Sequence, residues 1–367
     1  MFLIPRYLFR QLFATMIAVA GVLVLIFMSG RFIKYLGEVA AGKWAADIVL
    51  AIMAYRLPQF LELILPLSLF IAILLAYGRM YLESEMVVLT ACGMSRTDLV
   101  LKTFVTALPV MVLVGWMSLY VTPAGMQKVD ELFVEQSRKT EFDMLAPGRF
   151  QTLRTGGRVT YTEALSEDRK VLSGVFISEK DRQRNSLSVV VARRGTQYID
   201  PETGSRFLIL HEGQRYEGKP GQADYKVIEF AEYGVKIADA PAEVRNPRDE
   251  AIPTMQLLSA EDLKSQALLQ WRISIPLLVP IVTLLAIPLA RVNPRQGRFF
   301  KLLPAMLMYI SYLGLLIFAR KSIEKGRLAP ELGVWWVHLL YLGIALVLLY
   351  GEDVRMWLKR RQSHAPA

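Results

Sequence analysis

One cysteine and three histidines are all that 367 residues offer for thiol or imidazole chemistry. A lone cysteine cannot build an internal disulfide framework, so any exported portion must hold together by its core. There is no Gly-x-x-x-x-Gly-Lys-Ser/Thr loop, so the chain lacks the usual cradle for nucleotide phosphates. Neither His-Glu-x-x-His nor Cys-x-x-Cys occurs. His211, His338 and His364 are scattered over a strand-like run, an apolar segment and the tail, which assembles neither a metal cluster nor a triad. His338, beside Trp335 and Trp336, reads as a residue of the membrane–water boundary. The region between about residues 123 and 266 also lacks any apolar run of membrane length, although both flanks are dominated by such runs.

What is present fits that division. With 53% hydrophobic residues and a mean hydropathy of +0.34, the chain is too apolar for an ordinary soluble protein, yet 21% of it is charged. Membrane helices plus one polar domain give this mixture. A hydrocarbon layer of ~30 Å needs ~20 apolar residues per helix. Six segments qualify: about residues 11–30, 58–78, 99–121, 273–290, 302–319 and 333–350. The second has a helical forerunner from Asp47. Ala18-Val19-Ala20 resembles a signal-peptidase site, but apolar sequence continues to Met28, so the first segment reads as an uncleaved span. Pro276, Pro280 and Pro288 make the fourth irregular, and neighbours must satisfy the carbonyls they free. The division is three spans in residues 1–122, a polar domain with linkers in 123–266, three spans in 267–351, and a basic tail in 352–367.

Loop charges give a direction. The net charge of +10 could serve nucleic acid, but much of it crowds short loops beside the apolar segments. Arg291, Arg295, Arg298 and Lys301 share one loop without an acid; Arg355, Lys359, Arg360 and Arg361 follow the last span; Arg6 and Arg10 precede the first. With six spans these fall on one side, the cytoplasm, which puts both termini inside and the central domain outside. Cations also stand at the opposite ends: Arg31 and Lys34 after the first span, Arg56 before the second, and Arg320, Lys321, Lys325 and Arg327 after the fifth. Singly, these are snorkelling anchors or solvated loop charges. Together they read as a basic collar, and Arg31 and Lys34, three apart, are neighbours on one helical face. Glu62 lies within Phe60-Leu61-Glu62-Leu63, where a charge costs ~2.5–3.5 kcal/mol on insertion scales, so it must face a cavity or a partner such as Arg56. A collar at the outer leaflet suits an amphiphile with anionic head groups, since Arg can grip phosphate with two parallel hydrogen bonds.

Between the second and third spans, Arg79, Glu83, Glu85, Met86, Leu89 and Gly93 mark a short amphipathic helix at about 83–96, stopped by the glycine. It is either an interfacial surface helix or one that docks into a groove of a cytoplasmic partner. Cys92, in the reducing compartment, reads as a packing thiol. In the central domain, strand-like runs at 149–153, 158–165, 171–178, 187–191, 197–199, 206–211 and 226–230 alternate with turn residues, predicting a β-sandwich or open barrel.

Tyr55-Arg56-Leu57-Pro58 through Leu65-Pro66, Tyr77-Gly78-Arg79, Glu83-Ser84-Glu85 and Ala91-Cys92-Gly93-Met94-Ser95 carry a resemblance to the lipopolysaccharide-export permeases, the LptF/LptG (YjgP/YjgQ) family, closer to the LptF branch. It covers essentially the whole chain. The resemblance implies six transmembrane helices with an inserted periplasmic β-jellyroll, in the inner membrane of a Gram-negative bacterium. It implies pairing with LptG, and a cytoplasmic LptB dimer that binds the ATP and Mg, this chain having no cofactor of its own. It also implies hand-over of lipopolysaccharide to the jellyroll proteins LptC and LptA. On the residues here, it makes the helix around Glu83–Met94 the coupling helix. It places Arg31 and Lys34 in the lipopolysaccharide vestibule, with Arg56, Glu62, Arg320 and Lys321 as further substrate contacts. The first and fifth spans become lateral gates. Two other classes fit less well. A membrane-anchored sensor would need a cytoplasmic signalling domain, and an intramembrane enzyme would need a catalytic mate for Glu62.

Overall fold

The computed structural model describes residues 3–40, 44, 46–138, 147–152, 159–166, 171–181, 186–199, 206–219, 224–236, 249–291 and 302–363. Arg295, Arg298, Lys301 and His364 lie outside them, as do the turn residues at 155–157 and 200–204. Each predicted span is a helix: α1 (Leu3–Ala40), α2 (Asp47–Leu82), α4 (Arg96–Trp116), α7 (Leu263–Leu289), α8 (Leu302–Glu324) and α9 (Trp335–Ser363). Five are long and apolar enough to cross a membrane, and α9 contributes a shorter apolar stretch, Trp335–Gly351. A short α3 (Glu85–Ala91) links α2 to α4. After α4 the helix continues without a break through a π-turn (Met117–Val121) into α5 (Thr122–Arg138), well past the predicted end of the third span. A 3₁₀ turn (Asp249–Ala251) and α6 (Thr254–Leu258) return the chain to α7.

The chain divides into two compact units, one formed by residues 1–30, 53–129 and 247–367, the other by 31–52 and 130–246. In the first unit α7 is the central helix, packed on α4, α8 and α9. Its prolines are tolerated because the neighbours compensate. Pro276 has no N–H for the Arg272 carbonyl four residues back, and Ser118 Oγ supplies that bond at 3.2 Å. Gly115 lets α4 come against the Pro276 ring, whose Cβ lies 3.5 Å from where a Cβ at 115 would stand. Gly125 is tighter, since any Cβ there would collide with the Tyr55 carbonyl oxygen of α2. Within residues 3–30 of α1 the buried positions are one stripe, Leu8, Leu12, Met16 and Ala20 at four-residue spacing. Its other face, including Ile17, Val22, Leu25 and Phe27, is exposed in the isolated chain.

The second unit gathers the ends of α1, α2 and α5 around three packed rings, with Trp44 tilted against Tyr35 at 5.2 Å and edge-on to Phe133 at 5.0 Å between ring centroids. Its six-stranded sheet is an antiparallel meander in sequence order: β1 (Gln151–Thr152), β2 (Val159–Leu165), β3 (Val171–Asp181), β4 (Ser186–Ile199), β5 (Arg206–Gly218) and β6 (Lys226–Lys236). The chain is thus a membrane helical protein with an inserted all-β domain. Each of the four long ladders skips one pairing, and the skipped positions fall in a single row: Glu163, Gly174, Arg193, Glu212 and Ala231. Across this row the inward-facing residues are three apart where strands normally repeat every two, as in Leu172 then Val175. Gly174 (φ 60°) and Glu212 (φ 51°) take the left-handed conformation that produces the switch, and Arg193 holds Glu212 at 3.1 Å. Strands of 11 to 14 residues thus run across the crease, and Leu172, Val175, Ile177, Val190, Ala192, Leu208 and Leu210 form one core.

Candidate functional site

Two polar constellations stand at opposite ends of the helices in the first unit. The first is the turn from α2 through α3 to α4. Arg79 pairs with Glu83 one helical turn on, at 3.7 Å. Ser84 turns the chain with φ 60°, and Glu85 accepts a hydrogen bond from Tyr7 of α1 at 2.9 Å. Gly93 ends the segment at φ 92°. Ser95 then starts α4 with a full capping box: it accepts from the Asp98 N–H at 3.1 Å, and its own N–H and hydroxyl donate to the Asp98 carboxylate. Arg96 donates to the Leu349 carbonyl of α9. The turn is therefore tied to two further helices, α1 and α9, and α3 is fixed in orientation.

That orientation divides the apolar residues of α3. Met86 is buried against the helix core, and Leu89 packs beside it. Val87 and Val88, 63% and 59% exposed, form the outward face instead. Of the residues expected to meet a partner, Met86 and Leu89 thus anchor the helix, and the valines present its surface. A shallow apolar groove runs between Tyr81, Met86, Val87, Thr90 and Ala91. Cys92 is exposed, so it is not the packing thiol expected from the sequence; α3 has already ended, and nothing covers it.

The second constellation surrounds Glu62, which is 5% exposed and accepts from Thr122 Oγ1 at 2.9 Å. The cation acting on its carboxylate is Arg272 of α7, itself 4% exposed. Sequence reading missed Arg272 because it stands one residue before the apolar run that begins at Ile273. Its Nη1 donates to Thr254 Oγ1 at 2.8 Å and its Nη2 to the Glu250 carbonyl at 3.0 Å. Thr254 in turn donates to the Leu119 carbonyl of the π-turn at 2.5 Å, the group that Pro123 cannot serve for want of an N–H. Glu62 is thus enclosed by protein, and its neighbours are Thr122, Ser118 and Arg272.

The collar residues have separate settings. Arg31 and Lys34 are exposed on α1, and Arg56 is half-buried on α2. Arg320 is committed within the fold: it bonds Glu324 at 2.9 Å, lies 5.4 Å over the Trp271 ring, and its side chain is 19% exposed. Lys321, next to it, points outward. His338, expected at the boundary, is buried between α8 and α9 with its Nδ1 2.6 Å from the Tyr312 hydroxyl. Among the described residues, no three His, Cys, Asp or Glu side chains are grouped to hold a metal.

Comparison with known proteins gives a consistent answer. Residues 6–351 match the family model for the lipopolysaccharide export system permease LptF/LptG. The chain is 33% identical over 356 residues to the lipopolysaccharide export system permease protein LptF of Escherichia coli K12, covering 96% of each. It is 24% identical over 199 residues to the LptG protein of the same strain, covering 54% of each. The LptG protein of Haemophilus influenzae is 20% identical over 203 residues, 54% of this chain and 53% of that one. With the six helices, the inserted β domain and a match over nearly its whole length, the chain belongs to the LptF/LptG family of lipopolysaccharide export system permeases.

Proposed function

We propose that this chain is the LptF-type permease subunit of an ATP-driven lipopolysaccharide exporter. It pairs with an LptG homologue in the inner membrane and extracts lipopolysaccharide from the outer leaflet. The cargo passes to a periplasmic bridge of jellyroll proteins of the LptC and LptA type. Both termini are cytoplasmic and the β domain is periplasmic, as the loop charges require. Hydrolysis takes place in an LptB-type dimer, which binds ATP and Mg. The observation that carries the reading is the family match across residues 6–351.

The α3 turn supports the coupling role: a rigidly held seven-residue helix presents Val87 and Val88 outward beside an apolar groove, the geometry of a helix that enters a partner's cleft. Arg31 and Lys34, exposed on one face of α1, support a contact with the anionic head group. Arg56 and Lys321 belong to the same collar. Arg320, tied to Glu324 and Trp271, and Glu62, enclosed by protein, shape the site from behind. Affinity purification from membranes in mild detergent should bring down an LptG homologue, an ATPase and lipopolysaccharide. Recovery of the chain alone, or with a signalling kinase, would refute the reading. Reversing the charge of Arg31 and Lys34 together should weaken site-specific crosslinking to lipopolysaccharide and spare ATPase assembly; unchanged crosslinking would remove the collar.

A further inference from the structure

The segment through which the chain leaves the β domain, residues 249–258, is fastened to α7 by Arg272. We infer that Arg272 is a positioning residue that carries movement of the fourth span to this return segment. The inference rests on the exporter reading above for the source of that movement, the nucleotide cycle of the partner ATPase.

Three features support it. First, one guanidinium reaches two points of the segment, the Thr254 hydroxyl at 2.8 Å and the Glu250 carbonyl at 3.0 Å, while its carboxylate counterpart Glu62 sits on α2. A planar fork with several donors fixes both distance and direction, which a flexible ammonium cannot. Second, the contact is cross-braced to the long helix α4–α5 at its only π-turn among the described residues. Ser118 closes the Arg272 carbonyl freed by Pro276, and Thr254 closes the Leu119 carbonyl opposite Pro123. Two proline-made gaps in two helices are each filled by a hydroxyl from the other side of the junction. π-Turns recur at functional positions because the local hydrogen-bond register can shift there. Third, Arg272 and Ser118 are buried and Thr254, Glu250 and Leu119 are half-buried, so these bonds are largely shielded from water. A second tether, Lys264 to Asp249 at 2.7 Å, is 61% and 35% exposed and adds little by comparison.

The structure therefore assigns the junction a transmitting role: the π-turn gives, and Arg272 makes residues 249–258 follow α7. The test is amide hydrogen exchange on the complete complex, with and without an ATP analogue that traps the closed ATPase. In the wild type, nucleotide should change exchange both in α7 and in residues 254–258. Arg272→Lys keeps the charge beside Glu62 but gives up the fork, and Thr254→Val removes the shared hydroxyl at constant shape. In each, the response of 254–258 should be lost, while the response of α7 and the co-purification of partners persist. Lys264→Met should respond like the wild type. A wild-type response of 254–258 in Arg272→Lys would reduce the residue to a charge partner and overturn the inference. So would retention in Thr254→Val, or a wild-type complex in which that segment never responds. If Arg272→Lys fails to assemble, Thr254→Val alone decides. A complex that transmits the nucleotide signal yet carries no lipopolysaccharide would instead sink the cargo reading and leave the transmitting role standing.

Discussion

The two ends of the helical unit handle charge in opposite ways. At the α2–α3–α4 turn the charges are at or near the surface: Glu83 and Asp98 bond locally, Glu85 and Arg96 reach Tyr7 and the Leu349 carbonyl, and the apolar Val87 and Val88 are left outside. At the other end Glu62 and Arg272 are buried, and their bonds cross between α2, the π-turn, the return segment and α7. Solvated charges around exposed apolar residues make a docking surface, whose energy is realised only when a partner covers it. Buried charges that bridge distant segments are an internal brace, which commits the spans to move together. On the proposed reading, the difference separates where this permease meets its drive from where it passes motion on.

The comparison can be broken most forcefully at the buried end. Arg272→Leu removes the hydrogen bonds to Thr254 and the Glu250 carbonyl together with the cation acting on Glu62; hydrogen bonds to a charged group are worth ~1.5–3 kcal/mol each, so the yield of folded protein should fall sharply. Adding Glu62→Gln should recover part of it, as measured by thermal unfolding in detergent; a double variant no better than the single would show that the two groups are uncoupled. Gly125→Val drives a side chain into the Tyr55 carbonyl and should cost ~1–3 kcal/mol in the same assay by forcing α5 away from α2. At the solvated end, Val87→Asp with Val88→Asp should leave unfolding unchanged while weakening ATPase association at least about tenfold, roughly 1.4 kcal/mol. Normal association would mean the valines are not the docking face.

The smallest effect concerns pH. Asp262 caps α7, and the Ser265 N–H it accepts at 2.9 Å holds its carboxyl below the usual carboxylate range. A depressed value stabilises above the unfolded-state value and is lost as pH falls through the folded one. Acidification below about pH 4 should therefore erode unfolding temperature slightly more in the wild type than in Asp262→Asn. Parallel curves would assign the cap no titrating role.

The spans were legible because composition alone fixes them: a membrane-length apolar run admits few other readings. Their ends were not. The third span runs on past Val121 because Pro123 stands just after a π-turn, where Thr254 serves the carbonyl its ring leaves open. Met86 and Val87 look alike in sequence, and only the packing of α3 tells anchor from surface. In the β domain, the runs read at 187–191, 206–211 and 226–230 stop within two residues of Arg193, Glu212 and Ala231. That is where the crease reverses the alternation that sequence reading follows. The row mixes two glutamates with a glycine, an arginine and an alanine, so no single residue type in the sequence announces it. The Glu62–Arg272 relation was half visible: a carboxylate inside an apolar run demands a partner, but not which one.

The most direct test of the account is transfer of lipopolysaccharide in proteoliposomes containing this chain, its LptG-type partner and the ATPase, with a periplasmic jellyroll acceptor outside. The account predicts ATP-dependent delivery to the acceptor that is lost when Val87 and Val88 are both replaced by Asp, with lipopolysaccharide still bound in the membrane. Delivery without ATP, or unimpaired delivery by that double variant, would contradict it.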